Sequence, residues 1–428
     1  MPIFSLVDCN NFYASCEKLF NPKLKNTPVV VLSNNDGCIV ARSAEVKALG
    51  IPMGVPWFQI QEEARRHGIV AFSSNYALYA DMSNRVVEVL SQFSPSIEVY
   101  SIDECFLELS GFERRGYQVY GAEMRQRIAD WLGLAVCVGV GPSKTLAKLA
   151  NHCAKKALAG KNGVCDFTTM SVGELDSLFE RIEVGEVWGV GRKINARLET
   201  MGIHTVRQLR DADAETMRSL FSVVLERTVR ELRGVSCLDL EDLVPAKQQI
   251  MSSRSFGQLV YDLEDLNEAV ASYISRAAEK LRAQDSLAGA LQVYIRTNIF
   301  KPEAPQYQRV MTIPLPEATA DTLVLIAWGL RVLRRIYRPG YGYHKAGVAL
   351  LNIVPRTYQQ FSLFVPANMA AGRRDKLMGA LDAINDRYGR GTMRLAAEGV
   401  AKTWQMRRGN LSPGYTTNWA GLPIVRAK

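Results

Sequence analysis

The chain has 428 residues, of which 47% are hydrophobic and 22% are charged, a composition that excludes an intrinsically disordered protein. At roughly 150 residues per domain, this length predicts about three domains. Residues 356–428 hold 12 basic and 4 acidic side chains and so carry +8 of the net charge of +9. This asymmetry favours contact of the C-terminal end with a polyanion, and a solvated basic surface is the alternative.

No apolar stretch approaches the roughly 20 residues needed to cross a bilayer, and the N-terminus lacks the basic segment and cleavage site of a signal peptide. Eight cysteines without Cys-x-x-Cys spacing and four separated histidines argue against a zinc site and against a disulfide framework. We therefore expect a soluble, cytoplasmic protein with reduced, mostly buried thiols.

Residues 1–171 alternate strand-like and helix-like patterns, which predicts an α+β region. Strands are expected at 3–7, 29–33, 38–41, 97–100, 105–109 and 135–140. Helices are expected at 11–20, 43–49, 59–67, 81–93, 120–131 and 145–157. The Asp36-Gly37 pair between the second and third strands indicates a hairpin.

The remainder of the chain changes character twice. Residues 172–234 are dominated by short helices, and the Trp-Gly-Val-Gly stretch at 188–191 is typical of a helix-hairpin-helix, whose glycines let backbone amides approach a DNA phosphate. A plain glycine-rich link is the alternative. Residues 247–354 follow a β-α-β-β-α-β order, the split ferredoxin-like motif. Beyond Pro355 we expect one helix at 373–385 and a basic tail.

Three carboxylates stand at the ends of predicted strands. Asp8 follows the apolar run 3–7, and Asp103 and Glu104 lie between two strands. Such charges cost folding energy unless they are solvated or paired, so their combination indicates a site for cations, and a pair of Mg²⁺ ions suits phosphoryl transfer. In a strand Asp103 and Glu104 would point to opposite faces, so both can be ligands only if the backbone turns. Taken singly, an acid at the end of a strand is more often structural, and an Asp-Glu pair is commonly a solvated turn.

Asn11, Phe12 and Tyr13 follow Asp8 at a predicted helix N-terminus, where free amides attract phosphate oxygens. The same turn would place an aromatic ring over the sugar of a bound nucleotide. Ordinary core aromatics are the alternative.

With these motifs the chain resembles a Y-family translesion DNA polymerase over nearly its whole length. The matching stretches are 7–17, 31–38, 73–76, 79–83, 100–104, 144–152 and 253–257, with further matches at 404–406 and 411–413. The resemblance implies a multidomain α+β right-hand polymerase with palm, small fingers, helical thumb with helix-hairpin-helix, and ferredoxin-like little finger. The implied bounds are palm 1–20 and 78–171, fingers 21–77, thumb 172–237, linker 238–248, little finger 249–355 and a C-terminal clamp- and partner-binding region 356–428.

The resemblance also implies the metal ligands and the reaction. The ligands are the side chains of Asp8, Asp103 and Glu104 and the backbone carbonyl of Cys9, which would bind two Mg²⁺ ions. The reaction is error-prone addition of dNTPs to a primer 3′-OH opposite damaged template, in SOS-type damage tolerance. Another two-metal phosphotransferase or nuclease, and a non-catalytic DNA-binding repair adaptor, remain the alternatives.

The nucleotide-binding residues implied by the resemblance are Asn11, Phe12, Tyr13, Arg42, Lys47 and Lys155. Tyr13 falls on the steric gate that excludes a ribose 2′-OH, and Lys155 falls on the lysine that contacts the triphosphate. The chain departs from the family in the fingers, where Ala44 and Lys47 replace a common Tyr and Arg. Because lysine is a point charge rather than a planar fork, we expect a looser triphosphate clamp that is shared with Arg42.

The implied partners are primer-template DNA, dNTP, a sliding clamp, a UmuD′-like dimer and a RecA filament, with nucleoid association during DNA damage. The clamp contact is expected at the pentapeptide 360–364, where Phe361 departs from the usual leucine. Its anchoring residues are Gln360, Phe361, Leu363 and Phe364.

Overall fold

The computed structural model describes residues 2–241, 246–358, 371–400 and 402–419. The described residues form two compact units, the first drawn from Met1–Leu32, Cys38–Val244 and Asn410–Lys428, and the second from Ser33–Gly37 and Pro245–Gly409. Residues 410–419 therefore belong to the same unit as the N-terminal strand. The predicted clamp pentapeptide 360–364 lies outside the described residues.

The first unit combines two sheets with eleven α-helices among its described residues. Its strands are β1 Phe4–Cys9, β2 Val29–Leu32, β3 Ile39–Arg42, β4 Val70–Ser73, β5 Ile97–Val99, β6 Glu104–Glu108, β7 Val136–Gly141 and β8 Val164–Asp166. Its helices are α1 Phe12–Leu19, α2 Ala44–Ala48, α3 Trp57–Arg66, α4 Tyr76–Leu90, α5 Tyr117–Leu132, α6 Lys144–Lys156, α7 Val172–Glu180, α8 Arg192–Thr200, α9 Val206–Asp211, α10 Ala214–Leu220 and α11 Val223–Leu232.

The larger sheet has the strand order β5-β6-β1-β7-β8, and β1 lies at its centre. All six residues of β1 are buried, because β1 lies between β6 and β7 at the centre of the sheet and contacts α6. Helix α6 approaches β7 closely at Gly139, where a Cβ atom would come 2.1 Å from the Asn151 nitrogen. The Asn151 side chain donates to the Leu6 and Cys137 carbonyls at 3.1 and 2.7 Å. These contacts fix α6 against β1 and β7.

The smaller sheet has the order β3-β2-β4, with β2 antiparallel to β3 and parallel to β4. The predicted pairing of the second and third strands is confirmed. The residues that join them form a 3-10 turn at Asn34–Asp36, in which Asn35 and Asp36 have positive φ angles of 60° and 52°. The sequence patterns missed β4 and β8, which are only four and three residues long.

Residues 172–234 form the short helices α7–α11, as predicted. Between the 3-10 turn Val184–Glu186 and α8, Gly189 adopts φ 89°, a conformation that L side chains rarely reach. The backbone conformation at position 189 therefore requires a glycine.

The second unit contains a four-stranded antiparallel sheet of order β11-β10-β12-β9. Its strands are β9 Ile250–Val260, β10 Ser286–Arg296, β11 Gln308–Thr319 and β12 Tyr343–Pro355, and its helices are α12 Leu263–Ala283, α13 Thr322–Ile336 and α14 Ala371–Tyr388. Each β-α-β pair is split by one intervening strand, which confirms the predicted motif. Apolar side chains of α12 and α13, including Ile274 and Leu333, pack with Leu291 in one core.

None of the helices in the described ranges is long and apolar enough to cross a membrane. Six of the eight cysteines are buried, which agrees with the expectation of mostly buried thiols.

Candidate active site

The end of β1 lies beside the start of β6, where the antiparallel register pairs Asp8 with Glu104. Just before β6 the Ser101 hydroxyl donates to Asp103 Oδ1 at 2.7 Å and accepts the amide hydrogens of Asp103 and Glu104. The Cys9 amide donates to the Asp103 carbonyl at 2.9 Å. The backbone therefore bends at residues 101–103, just before β6, and Ser101 stabilises this bend.

A cavity of about 450 Å³ lies at this end of the sheet. Nine of the ten predicted site residues line it: Asp8, Cys9, Asn11, Phe12, Tyr13, Arg42, Lys47, Asp103 and Lys155. The other lining residues are Val40, Ala41, Met53 and Ile102. Carboxylates, cations and an aromatic group thus face one volume, as a site for a charged organic ligand requires. Glu104 is the predicted residue that does not line the cavity.

Three lysines of α6 each bind one carboxylate of the first unit. The pairs are Lys144 with Glu98, Lys148 with Glu104 and Lys155 with Asp8. Spacings of four and seven residues place these lysines on one face of the helix. We call Lys144, Lys148 and Lys155 the lysine row of α6.

The position of Glu104 is explained by Lys148. The Lys148 ammonium donates to both carboxylate oxygens of Glu104 at 2.7 and 2.8 Å, and it lies 4.6 Å from the centre of the Tyr100 ring. Lys144 and Lys148 were not predicted as site residues, although the Lys-x3-Lys-x6-Lys spacing was an available signal.

The charges at the cavity are crowded. Burial raises the pKa of Asp8 to about 6, although the neighbouring Lys155 lowers it. Burial also lowers the pKa of Lys47, and the positive charges of Arg42 and Lys155 lower it further. The cavity therefore holds three neighbouring cations in addition to its carboxylates, which favours an anionic ligand.

Tyr13 lies in α1 and presents its ring between two tyrosines of α4. It stacks on Tyr79 with a centroid distance of 4.4 Å and an interplanar angle of 15°, and it meets the edge of Tyr76 at 6.0 Å and 84°. These contacts hold the Tyr13 ring at the wall of the cavity.

Asn11 and Phe12 begin the helix α1. Asn11 adopts the left-handed conformation (φ 52°), and its buried Oδ1 has no hydrogen-bond partner among the described residues. Phe12 is 3% exposed and packs in the core with Val7 and Leu78. The Phe12 ring is therefore part of the hydrophobic core, and Phe12 also borders the cavity.

Arg42 lies at the end of β3 and donates to the Ile51 carbonyl. Its Nε is buried and has no hydrogen-bond partner in the part of the chain that the structure describes. One end of the guanidinium is thus fixed by the protein backbone, next to Lys47 on α2.

Known proteins resemble this chain over almost its whole length. The model of the impB/mucB/samB family matches residues 7–152, and the model of its C-terminal domain matches residues 247–363. The chain is 45% identical over 425 residues to Protein UmuC of Salmonella typhimurium, with 99% of this chain and 100% of that protein covered. The chain belongs to the impB/mucB/samB family of Y-family DNA polymerases.

Other relatives of this polymerase support the assignment. Protein ImpB of Salmonella typhimurium is 44% identical over 425 residues, covering 99% of this chain and all of ImpB. Protein MucB of Escherichia coli is 43% identical over 429 residues, with both chains fully covered. A third family model, a domain of unknown function named DUF4113, matches residues 375–425 of the polymerase.

Solved structures share its fold. The Y-family DNA polymerase chimera Dbh-Dpo4(243-245)-Dbh aligns with a TM-score of 0.63 at 21% identity, covering 82% of this chain and 99% of the chimera. The insertion ternary complex of Dbh DNA polymerase aligns with a TM-score of 0.53 at 21% identity and the same coverage. The predicted fold class, a right-hand polymerase with a ferredoxin-like little finger, is confirmed.

DNA polymerases use divalent metal ions. Within the described ranges, no group of three or more His, Cys, Asp or Glu side chains is gathered as a metal-binding cluster. Asp8 and Asp103 nevertheless line the cavity beside Cys9, and Glu104 is held by Lys148. This donor set fits Mg²⁺, because that ion needs one or two protein carboxylates when substrate phosphates and water supply the other oxygens.

Proposed function

We propose that this polymerase is an error-prone translesion enzyme of SOS-type damage tolerance, which adds dNTPs to a primer 3′-OH opposite damaged template. The observation that carries the proposal is the cavity at the end of β1. Two carboxylates, three cations and the ring of Tyr13 line it together. A nucleoside triphosphate and a primer end need these same groups: oxygen ligands, positive charges and a surface for the sugar.

The cations would bind the triphosphate. Lys155 now pairs with Asp8, and the pKa of Lys47 is lowered by burial and by the charges of Arg42 and Lys155. A triphosphate would relieve this repulsion, since its negative oxygens can accept from all three side chains. Arg42 and Lys47 together would replace the Tyr and Arg clamp of other Y-family members.

Tyr13 would act as the steric gate, and the adjacent amides at Asn11 and Phe12 would face the phosphates at the start of α1. Since the Tyr13 ring is held by Tyr79 and Tyr76, it can reject a ribose 2′-OH by direct contact rather than by a lost hydrogen bond.

Two Mg²⁺ ions held by Asp8, Asp103, Glu104 and the Cys9 carbonyl would activate the primer oxygen and stabilise the leaving pyrophosphate. Lys155 and Lys148 now balance the charges of Asp8 and Glu104. We expect Lys155 and Lys148 to release these carboxylates when the nucleotide binds.

The domain bounds and partners belong to the same proposal. We assign the palm to 1–20 and 78–171, the fingers to 21–77, the thumb to 172–237 and the little finger to 249–355. The region 356–428 would contact a sliding clamp through the pentapeptide 360–364, a UmuD′-like dimer and a RecA filament, in a cytoplasmic protein that associates with the nucleoid during DNA damage. Its net charge of +8 supports contact with polyanionic assemblies.

A primer-extension assay tests the proposal. The full chain is given a primed template and one dNTP at a time, with and without Mg²⁺, on intact templates and on templates with an abasic site. We expect templated, metal-dependent addition and synthesis past the lesion. Cleavage of the DNA would identify a nuclease, and binding without addition, even when clamp, UmuD′-like dimer and RecA filament are supplied, would identify an adaptor.

A further inference from the structure

The segment Asn410–Tyr415 of the first unit is attached to α1, β4 and α4. Ser73 and Asn410 exchange two hydrogen bonds: the Ser73 amide donates to the Asn410 carbonyl at 2.9 Å, and the Asn410 amide donates to Ser73 Oγ at 3.0 Å. Tyr415 stacks on Phe20 at the end of α1, with a centroid distance of 4.6 Å and an interplanar angle of 12°. The segment is thus held at both ends.

At its middle, Ser412 is 6% exposed and joins two helices. Asn75, the residue before α4, donates to Ser412 Oγ at 2.9 Å and to the Pro413 carbonyl at 3.2 Å. The Ser412 hydroxyl donates to Oε1 of Glu17 in α1 at 3.1 Å. A single hydroxyl therefore links α1 to the start of α4.

Glu17 is an unusual acid, since it is 1% exposed and its hydrogen-bond partners among the described residues are neutral hydroxyls. The Tyr79 hydroxyl donates to the same oxygen, Oε1, at 2.6 Å, and Oε2 has no partner in the described ranges. Burial of a carboxylate without a cation is costly, so each of the two hydroxyl bonds matters to its placement.

The same residues hold Tyr13. Glu17 lies four residues after Tyr13 on α1, and Tyr79, which Glu17 anchors, is the ring on which Tyr13 stacks. Ser412, Glu17, Tyr79 and Tyr13 therefore form a continuous series of contacts from the C-terminal segment to the cavity.

We propose that Ser412 is a positioning residue for sugar selection: by fixing Glu17 and Tyr79 it holds the ring of Tyr13, so that the C-terminal region takes part in rejecting ribonucleotides. The inference rests on the proposed role of Tyr13 as the steric gate. It gives a function to part of the region that the DUF4113 model matches, residues 375–425.

The size of the effect follows from the bonds involved. Ser412→Ala removes one hydroxyl donor to Glu17 and the acceptor of the Asn75 amide, while the stack of Tyr13 on Tyr79 remains. Losing about one net hydrogen bond in the support of the ring should lower the preference for dNTP over rNTP by roughly 5- to 10-fold. The rNTP should gain through a lower KM, while kcat for the matched dNTP stays within about twofold, because no group that contacts the substrate has changed.

The test is single-nucleotide insertion kinetics by the full chain, with kcat and KM measured for one dNTP and the matching rNTP. Ser412→Ala is compared with the unaltered protein, with Tyr13→Ala as the reference for an open gate, and with Thr417→Ala as a matched control. Thr417 lies two residues after that segment, is exposed, and uses its hydroxyl in a local bond to the Gly414 carbonyl. Thermal melting of every variant is recorded.

The inference is supported if Ser412→Ala changes the rNTP KM in the direction of Tyr13→Ala while Thr417→Ala does not. It is overturned if Ser412→Ala matches the control, or if both nucleotides lose kcat/KM equally together with a lower melting temperature, since that is the signature of a merely structural residue. Failure of the proposed function looks different: either the unaltered protein inserts no dNTP, or Tyr13→Ala leaves rNTP rejection unchanged. Each of these also overturns the inference.

Discussion

Asp8 and Glu17 are both buried acids of the first unit, at 7% and 1% exposure, yet their surroundings differ in kind. Asp8 borders an open cavity and pairs with a cation, Lys155. Glu17 is enclosed by Tyr79 and Ser412 and accepts from neutral hydroxyls. A charge that pairs with a movable lysine beside a cavity can exchange that partner for a ligand, whereas a charge held by packed hydroxyls keeps its geometry.

This difference separates two tasks that a polymerase site must combine. In the proposed function, the cavity needs charges that can rearrange when a triphosphate and metal ions bind. If Tyr13 is the steric gate, its ring must be held in place, because selection by steric contact fails when the ring can move aside. The following variants test the contrast, from the largest expected effect to the smallest.

Asp103→Asn should have the largest effect. Asp103 lines the cavity and is oriented by Ser101, so loss of its charge should reduce primer extension by about 10³-fold or more, the loss typical for a group that stabilises transition-state charge. Glu104→Gln should cost less, about 10- to 100-fold, because Glu104 does not line the cavity and Lys148 must release it before it can bind a metal ion. Extension rates measure both variants.

Binding of primer-template DNA, measured by fluorescence anisotropy, should stay within a few fold for Asp103→Asn. If that variant extends primers normally in Mg²⁺, Asp103 has no catalytic role. If Glu104→Gln is the more damaging variant, Lys148 must release Glu104 fully during the reaction.

The second prediction concerns Lys144, a member of the lysine row of α6 that does not line the cavity. Lys144 and Glu98 form a 2.6 Å pair whose side chains are 5% and 9% exposed. Lys144→Met leaves Glu98 buried with, among the described residues, only the hydrogen bond from the Glu241 amide. It should cost about 3 to 5 kcal/mol in the free energy of unfolding. Urea denaturation measures this loss.

Arg66→Ala is the matched control, since Arg66 pairs with Glu62 at 2.9 Å but both side chains are more than 70% exposed. It should cost no more than about 1 kcal/mol. Adding Glu98→Leu to Lys144→Met should recover much of the stability, because no buried charge is then left unpaired. A double variant as unstable as the single one would mean that the pair does more than balance charge.

The cavity could be predicted from the sequence to a greater extent than its support. Asp8 follows an apolar strand directly and Asp103 precedes another, so local patterns identified both, and the family resemblance added Arg42, Lys47 and Lys155. The strands β4 and β8 were missed because three or four residues carry too little periodicity, and pairing with β2 and β7 decides their conformation.

The support of Tyr13 could not be predicted, for a physical reason. Ser412 and Glu17 are 395 positions apart, and a serine in a C-terminal segment has no pattern that marks a buried acceptor. A glutamate on a short amphipathic helix is usually solvated, so its burial becomes visible only when tertiary contacts are known.

The last prediction uses pH to test whether Glu17 is held as described. Burial raises the pKa of Glu17 above its ordinary value of 4.5, although the bonds from Tyr79 and Ser412 lower it. A raised pKa means that the folded protein binds this proton more tightly than the unfolded chain does. The stability contributed by Glu17 is therefore highest at low pH and falls as pH rises from 4.5 through the folded value. Glu17→Gln does not titrate, so its free energy of unfolding relative to the unaltered protein should rise over that window.

Urea denaturation from pH 5 to pH 8 measures this difference, and Glu45→Gln is the control. Glu45 of α2 pairs with Lys18, which follows Glu17 in α1. Burial raises the pKa of Glu45, but the Lys18 hydrogen bond brings that pKa below 4.5. The stability that Glu45 contributes is present above pH 4.5 and is lost only as the pH falls through its lowered pKa. The difference in free energy of unfolding between Glu45→Gln and the unaltered protein should therefore stay constant from pH 5 to pH 8. Burial also raises the pKa values of the neighbouring Cys16 and Tyr79 beyond this range. A flat difference for Glu17→Gln as well would show that Glu17 ionises as an ordinary surface acid, and the enclosed support of Tyr13 would then be wrong.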